Sequence, residues 1–215
     1  MMKRLFVSLA ATVALAVTAF AQTPEDIIAR MEEEMNKHMD EGLIMTVTTK
    51  MPIVGSVSMK NYSLGNKMRS ETTLLGVDAV IFTDGVTEWT YISKSNKIEI
   101  RDFSDTGDGA SEGGDEEMFS GITEGYDVTL AKETDDAWFF TCKKMKTNTD
   151  KDAPKSMELV VAKRTYYPML LKAKVSGVTL RLSDVSFGVT EKFVTFNLSD
   201  YPGATIEDKR GKGKK

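Results

Sequence analysis

The sequence predicts a mainly β protein with a few helices: an antiparallel, half-open (incomplete) β-barrel of about eleven strands, covered by an N-terminal helix and a lid. From Leu43 onwards, apolar and polar residues alternate with the period of two that is typical of strands. Short turn-compatible segments separate these runs, and they favour antiparallel neighbours because parallel strands need long crossovers. Before them, residues 23–42 have the apolar spacing of three and four residues that indicates a helix.

The first 21 residues have the features of a cleaved secretory signal. Lys3 and Arg4 precede the apolar run Leu5–Phe20, and Ala-Phe-Ala at 19–21 fits the small-residue cleavage rule. The run is short for a membrane span, which needs about 20 residues. We therefore expect a mature chain that begins at Gln22, is exported to the periplasm and is soluble; an uncleaved N-terminal anchor is the alternative.

Length and charge limit what the remaining chain can be. It has the length of one domain, predicted to span residues 22–208, and the basic segment 209–215 is expected to be a disordered tail that could also contact anionic lipid. The chain has 28 basic and 32 acidic residues and a net charge of −4, so a nucleic-acid partner is not expected without a basic face. We expect a monomer.

The N-terminal helix is marked at both ends. Thr23 can cap it, Pro24 suits its first turn, and Gly42 follows its last apolar residue as a stop. One face carries an apolar stripe, formed by Ile27, Ile28, Met31, Met35 and Met39. We expect this stripe to cover an apolar surface of the sheet.

The strands are predicted on both sides of an acidic, glycine-rich gap, residues 104–117, which we expect to be mobile. A short apolar lid turn is predicted after it, at 118–122. The predicted strands are 43–51, 55–64, 67–75, 77–83, 87–93, 97–103, 126–133, 137–146, 156–163, 168–175, 178–187 and 192–198.

No constellation of residues predicts catalysis, a metal site or a cofactor. The acidic gap does not fit the register of a helix-loop-helix calcium loop when counted from Asp102 or Asp105. His38 with the helix methionines suggests a copper site, although a methionine stripe is more often core. The single cysteine, Cys142, alternates with Trp138 and Phe140 and is predicted to be a buried apolar residue. We do not expect an enzyme.

Methionine is the most informative residue type. The chain has 13 methionines, and four of them, Met45, Met51, Met59 and Met68, fall in the first three predicted strands. A specified core prefers Leu, Ile, Val and Phe, whereas a methionine-lined interior can repack around ligands of varied shape. Composition alone leaves both interpretations open, a plain methionine-rich core and a wall that binds acyl chains.

Three stretches carry a resemblance to a known family. The stretch "FTDGVTEWTYISKSNKIEI", residues 82–100, matches a family motif in type and spacing through Asp84, Gly85, Trp89 and Tyr91. "LGNKMRSET", residues 64–72, places Arg69 on the family's arginine, but Met68 and Ser70 replace its flanking proline and aromatic residues. The closing segment is similar through Phe196, Pro202 and Gly203. The chain thus resembles the periplasmic outer-membrane lipoprotein carrier (LolA-like) superfamily.

The resemblance implies a half-open barrel with a helical lid, an apolar cavity for acyl chains, and Arg69 as a latch on the lid. It implies a periplasmic carrier of lipoproteins or lipids, with an inner-membrane release complex and an outer-membrane acceptor as partners. A regulatory module of the same fold that binds a membrane protein is the alternative, and a metal chaperone is a further one. The candidate lipid-binding residues are Met31, Met35, Met39, Met45, Met59, Phe82, Trp89, Phe140 and Leu180.

Overall fold

The computed structural model describes residues 22–53, 55–105, 119 and 121–211. Outside the described residues lie the predicted signal 1–21, residues 106–117 of the acidic gap, Met118 and Ser120 of the predicted lid turn, and residues 212–215 of the tail. Within the part of the chain that is described, no helix combines the length and apolar character that a bilayer span requires.

The predicted N-terminal helix is confirmed as α1, Pro24–His38, followed by one 3-10 turn, Met39–Glu41. A capping box begins the helix, because the Asp26 amide donates to the Thr23 hydroxyl and the Thr23 amide donates to the Asp26 carboxylate, both at 3.2 Å. Gly42 ends the helical segment with a φ of 77°. A Cβ there would lie 2.8 Å from the carbonyl oxygen of Ser63, so only glycine fits without a shift.

Among the residues that the structure describes, twelve strands form a single sheet. They are β1 Leu43–Met51, β2 Gly55–Leu64, β3 Lys67–Leu74, β4 Val77–Thr83, β5 Thr87–Ile92, β6 Lys97–Asp102, β7 Tyr126–Glu133, β8 Ala137–Lys144, β9 Ser156–Ala162, β10 Pro168–Val175, β11 Val178–Phe187 and β12 Thr205–Asp208. Their order is β12-β6-β5-β4-β3-β2-β1-β11-β10-β9-β8-β7, so the sheet is not closed and β12 and β7 are its edges. This confirms the predicted mainly β, incompletely closed architecture.

The prediction for the C-terminal segment is wrong. Residues 192–198 were expected to form a strand, but a short helix α2, Glu191–Val194, and a 3-10 turn, Leu198–Asp200, occupy this region. The reason is that Phe193 and Phe196 both pack on the same face of the sheet, against Tyr62 and Trp89, whereas residues three apart in a strand would point to opposite sides. The strand that follows, β12, was not predicted, and it pairs with β6 in parallel rather than antiparallel fashion.

Ion pairs fasten β12 to β6. The Glu99 carboxylate forms ion pairs with three basic side chains, Lys209 at 2.8 Å, Lys97 at 2.9 Å and Arg101 at 2.7 Å. Hydrogen bonds from Lys209 and Lys97 lower the pKa of Glu99 to about 2. Lys97 also pairs with Glu207 of β12. The first residue of the predicted basic tail, Lys209, is therefore held against the sheet.

The strand register separates the residues of the sheet onto two faces. Met45 of β1 is paired with Asn61 of β2, so these two side chains share one face, and the neighbouring Tyr62 points to the other. We call the first the helix face, because Met45 belongs to the same buried cluster as the residues of α1. The second is the opposite face, where Phe193 of α2 packs edge-on against Tyr62 at 4.8 Å. The N-terminal and C-terminal segments thus cover different faces of one sheet.

The buried core lies between α1 and the helix face of β1, β8 and β9. Its residues are Ile27, Ile28, Met31, Met35, Met39, Leu43, Met45, Phe119, Trp138, Phe140, Cys142, Met157, Leu159 and Val161. Half-buried residues of β7, β10 and β11, including Val128, Leu171 and Leu182, pack around them. The helix therefore closes the half of the sheet that is formed by β1 and β7–β11.

Candidate functional site

The candidate site is the interface between α1 and the helix face of the sheet. The apolar stripe of α1 is buried there, with Met31 and Met35 completely shielded from solvent. Facing them on the strands, Leu159 and Phe140 are also almost fully shielded. In this structure the protein's own side chains occupy the interface. Methionine contributes from both sides, through α1 and through Met45 and Met157 of the sheet.

Polar contacts of α1 lie at its ends and on its outer side. At the start, the Gln22 side chain hydrogen-bonds the Tyr166 hydroxyl at 3.3 Å, and the Arg30 guanidinium lies 5.9 Å from the centre of the Tyr166 ring. At the end, His38 Nδ1 lies 2.6 Å from Glu41 Oε1. Its ring also packs against Phe187 with centroids 5.4 Å apart. The middle of the helix therefore contacts the sheet through apolar side chains.

One further polar contact joins α1 to the segment before β7. The Glu32 carboxylate borders the buried stripe of α1, because it lies four residues after Ile28 and three before Met35, and it is hydrogen-bonded by the backbone of Gly121 and Ile122. Burial raises the pKa of Glu32, and these backbone hydrogen bonds act in the opposite direction. Phe119, just before them, is buried in the helix-face core. A part of the predicted lid turn thus packs against α1.

The opposite face carries an aromatic stack formed by Trp89, Phe196 and Tyr201. Phe196 lies parallel to Trp89 at 5.3 Å with an angle of 7°, and Tyr201 lies parallel to Phe196 at 5.9 Å with an angle of 10°. Tyr91 contacts Tyr201 at 4.5 Å, and Phe82 meets Phe196 edge-on at 5.8 Å. Burial raises the pKa of Tyr201. The stack holds the C-terminal segment on β4 and β5.

Arg69 lies on the opposite face, because it is paired with Tyr62 in the register of β2 and β3. Its guanidinium forms an ion pair with Glu71 at 2.6 Å and lies 4.2 Å from the centre of the Phe193 ring and 5.2 Å from that of Phe82. Its buried Nε has no hydrogen-bond partner among the described residues. The residue proposed as a lid latch thus contacts α2, whereas the helix that would be the lid, α1, lies across the sheet.

The same face has an open groove of about 630 Å³ over β1–β4. Its lining is mostly polar, formed by Thr46, Ser56, Ser58, Lys60, Glu71, Thr72, Thr73, Asp78, Ala79 and Val80. Several of these groups satisfy one another, for example Thr73, which donates to Asp78 at 2.6 Å. The groove differs in position and in chemistry from the apolar cavity expected under α1.

The structure brings together five of the nine predicted lipid-binding residues, Met31, Met35, Met39, Met45 and Phe140. It places Phe82 and Trp89 on the opposite face, in contact with Phe196. Met59 is half-buried on β2, beside the core, and Leu180 is 41% exposed on β11. Binding of lipid by these residues stays a prediction.

Sequence reasoning missed the contribution of β9 to the site. Met157, Leu159 and Val161 alternate on this strand and all three are buried in the core. The alternation was visible, but nothing in it showed that β9 lies under α1 rather than elsewhere in the sheet. It missed the partners of Trp89 as well, because Phe196 and Tyr201 come from a segment that was predicted to be extended.

Two further predictions concern sulfur. Cys142 is free and buried, as predicted, and burial raises the pKa of its thiol to about 11. The copper interpretation loses its basis, because Met31 and Met35 are enclosed in the apolar core and His38 faces Glu41, Tyr167 and Phe187. Among the described residues no group of three or more His, Cys, Asp or Glu side chains is arranged to hold a metal ion.

No protein-family model matches the sequence, and no curated protein is similar enough to match it. Several solved structures are similar. An uncharacterized conserved protein from Thermus thermophilus is 15% identical, and the match covers 84% of this chain and 98% of that one at a TM-score of 0.44. Lipoprotein LppX from Mycobacterium tuberculosis is 11% identical, over 76% of this chain and 95% of its own, at a TM-score of 0.45.

A LolA superfamily protein is also among them. It is NE2245 from Nitrosomonas europaea, 13% identical over 79% of this chain and 97% of its own, at a TM-score of 0.30. The superfamily named there is the one that the sequence motifs resemble. At these identities and TM-scores, nothing about a LolA-like site follows for this chain from the likeness alone.

Proposed function

We propose that this protein binds the acyl chains of lipids or lipoproteins between α1 and the helix face of its sheet, and carries them within the cell envelope. The observation that carries the proposal is the composition of that interface. Its centre consists of apolar side chains, with methionines on both sides, and the polar contacts of α1 lie at its ends and outer side. Among the described contacts in the middle of α1, the hydrogen bonds from the backbone of Gly121 and Ile122 to Glu32 would have to break for the helix to move from the sheet, and the other contacts there are apolar.

The energies of opening and binding are of similar size. Lifting α1 exposes its five stripe residues, and at about 1.5–3 kcal/mol each this costs about 8–15 kcal/mol. An acyl chain of about 14 methylene groups gains about 0.8 kcal/mol per group when it is buried, which gives about 11 kcal/mol. Binding is therefore reversible, as a carrier requires. Methionine suits this exchange because its unbranched side chain adapts to a changed neighbour.

The proposal also includes release of the cargo and its transfer to the outer membrane. The apolar run Leu5–Phe20 with its cleavage pattern supports export, and the LolA-like motifs support transfer of the cargo to the outer membrane. In that scheme an inner-membrane complex loads the carrier and an outer-membrane acceptor with higher affinity unloads it. No covalent step is required, since burial alone binds the cargo.

The test is lipid binding by the exported chain. Native mass spectrometry after gentle purification should show bound lipid, and the delipidated protein should take up a fluorescent fatty acid. Met35→Ala should bind the fatty acid several-fold more tightly, because removal of a fully buried side chain leaves a dry space that hydrocarbon fills. Val160→Ala is the matched control, because Val160 is buried on the same strand as Leu159 but points to the opposite face.

A purified protein without lipid, combined with no uptake by the wild type or by Met35→Ala, would end the proposal. Equal gains from Met35→Ala and Val160→Ala would show that the fatty acid binds elsewhere or without specificity. If lipid is absent but a membrane protein is recovered specifically with the chain, the regulatory alternative replaces the carrier.

A further inference from the structure

Three β-hairpins end at the same end of the sheet. They are the turns between β1 and β2, between β3 and β4, and between β10 and β11, and their strands are neighbours in the order β4-β3-β2-β1-β11-β10. Because adjacent strands lie about 4.8 Å apart, successive turns are separated by about 10 Å. We call this row of turns the hairpin end. The turn between β5 and β6 continues it on one side, and the connection between β8 and β9, residues 145–155, continues it on the other.

Large aliphatic side chains project from two of these turns. Ile53, between β1 and β2, is 97% exposed, and Leu75, between β3 and β4, is 91% exposed. Leu74, next to it, is also exposed. Most large apolar side chains of the chain gain burial from the fold, but these gain almost none. Among the described residues, Ile53 and Leu75 are the two most exposed large apolar side chains, and both lie at the same end of the sheet, which makes that end a candidate contact surface.

The backbone at Leu75 strengthens this point. Its φ is 51°, in the left-handed region that Gly or Asn ordinarily occupies in a tight turn. The Cβ of leucine makes a steric clash that disfavours this φ. The apolar side chain is also unfavourable at an exposed position because it stays in contact with water. A residue that is costly on both counts adds nothing to the stability of the hairpin. It is suited to a surface that buries it.

The charge around the tips differs from that of the whole chain. Lys50 on β1, Lys94 in the turn after β5 and Lys174 on β10 all lie at the hairpin end. None of the three forms an ion pair with a residue that the structure describes. Asp78, at the start of β4, accepts a hydrogen bond from Thr73, and the connection 145–155 at the same end carries three lysines and two aspartates. A chain with a net charge of −4 thus presents an excess of unpaired positive charge beside its two exposed aliphatic tips.

We propose that the hairpin end docks on the surface of a bilayer that contains anionic lipid. Ile53 and Leu75 enter the boundary between headgroups and acyl chains, and the three lysines lie over the anionic headgroups. The anionic lipid surface repels the negatively charged remainder of the chain and attracts the three lysines. The electric field of the membrane therefore orients the protein with the hairpin end towards the bilayer. Two tips about 10 Å apart suit a fluid surface, whereas a flat protein partner would require a continuous patch.

This inference goes beyond the acyl-chain site, and it can hold or fail independently of it. The hairpin end is formed by turns of β1–β4, β10 and β11, while the proposed site depends on α1, β8 and β9. A protein that binds fatty acid but not vesicles would refute the docking surface alone. A protein that binds vesicles but no fatty acid would refute the proposed function alone.

The experiment is flotation with lipid vesicles. The full chain is expressed and exported, and chains whose N-terminus is Gln22 are selected by mass so that the apolar run Leu5–Phe20 does not contribute. Wild type is floated with vesicles of phosphatidylcholine plus phosphatidylglycerol and with vesicles of phosphatidylcholine alone. The test variant is Ile53→Asn/Leu75→Asn, which removes both tips and places at 75 a residue that tolerates the positive φ. The folded structure should therefore be kept.

A matched control removes an exposed aliphatic side chain from the other end. Val86 is 72% exposed in the turn between β4 and β5, so Val86→Asn changes surface apolarity without changing the hairpin end. We expect wild type and Val86→Asn to float with anionic vesicles, and the double variant to bind at least about tenfold more weakly. Lys50→Gln/Lys94→Gln/Lys174→Gln should lose about 100-fold on anionic vesicles and little on neutral ones.

Three results would overturn the proposal. They are failure of the wild type to float with anionic vesicles, equal flotation of wild type and the Ile53→Asn/Leu75→Asn variant, and equal binding of the wild type to anionic and neutral vesicles. Circular dichroism of each variant confirms that any loss of binding comes from a folded protein.

Discussion

The aromatic stack gives a quantitative prediction about the opposite face. Phe196→Ala removes a half-buried ring that is stacked between Trp89 and Tyr201. Truncation of a fully buried phenylalanine costs about 3–5 kcal/mol, so half burial costs about 2 kcal/mol. Two aromatic contacts add about 0.5–1.5 kcal/mol each. We expect a loss of about 3–5 kcal/mol in the free energy of unfolding.

Urea unfolding followed by circular dichroism measures this loss, and Leu198→Ala is the control. Leu198 is in the same C-terminal segment but is exposed, so its truncation should cost less than about 0.5 kcal/mol. Fatty-acid uptake by folded Phe196→Ala should equal that of the wild type, because Trp89 and α1 are on different faces. A loss below about 1 kcal/mol would refute the reasoning about the stack. Abolished uptake by a folded variant would refute the separation of the faces.

Three other predictions follow from the described contacts. Glu99 has a pKa of about 2, below the ordinary 4.5, so its ion pairs stabilise the fold fully above pH 4.5 and are lost as the pH falls towards 2. Glu99→Gln should lower the free energy of unfolding by about 1–2 kcal/mol at pH 7 and should have no effect near pH 2, as measured by urea unfolding. Acyl-chain binding should change the fluorescence of Trp138, which lies in the helix-face core, and the change should persist in Trp89→Phe but vanish in Trp138→Phe. Gly42→Ala should lower stability by about 2–4 kcal/mol in thermal unfolding, and a loss below about 0.5 kcal/mol would contradict the close approach to Ser63.

The local pattern of the sequence was enough to predict the first eleven strands, but not β12. Side-chain alternation is a property of each strand alone, and β1, β2, β4, β7, β10 and β11 have the predicted bounds. The turn at Asp84 was also predictable, since its carboxylate accepts from the amides of Val86 and Thr87 at 2.9 and 2.8 Å while Gly85 has a positive φ. These features depend on residues that are close in sequence.

The faces of the sheet could not be predicted in the same way. Alternation shows that Trp89 and Tyr91 share a face of the sheet. Which segment packs on that face is decided by residues about 100 positions later in the chain, Phe196 and Tyr201. Residues 192–198 were predicted as a strand, in which Phe193 and Phe196 would point to opposite sides, and only the contacts with Tyr62 and Trp89 show that both rings pack on one face. The methionine stripe of α1 predicted burial correctly, and whether this interface opens is a property of its energy rather than of its pattern.

The position of α1 over β8 and β9 has a consequence for how the chain folds. Met31 packs in one cluster with Leu159 and Val161, which are synthesised more than 100 residues later. The apolar face of α1 is therefore uncovered during synthesis until nearly all the strands have followed it. We expect the helix to be the last large element to pack, so a chaperone that shields its apolar face should raise the yield of native protein.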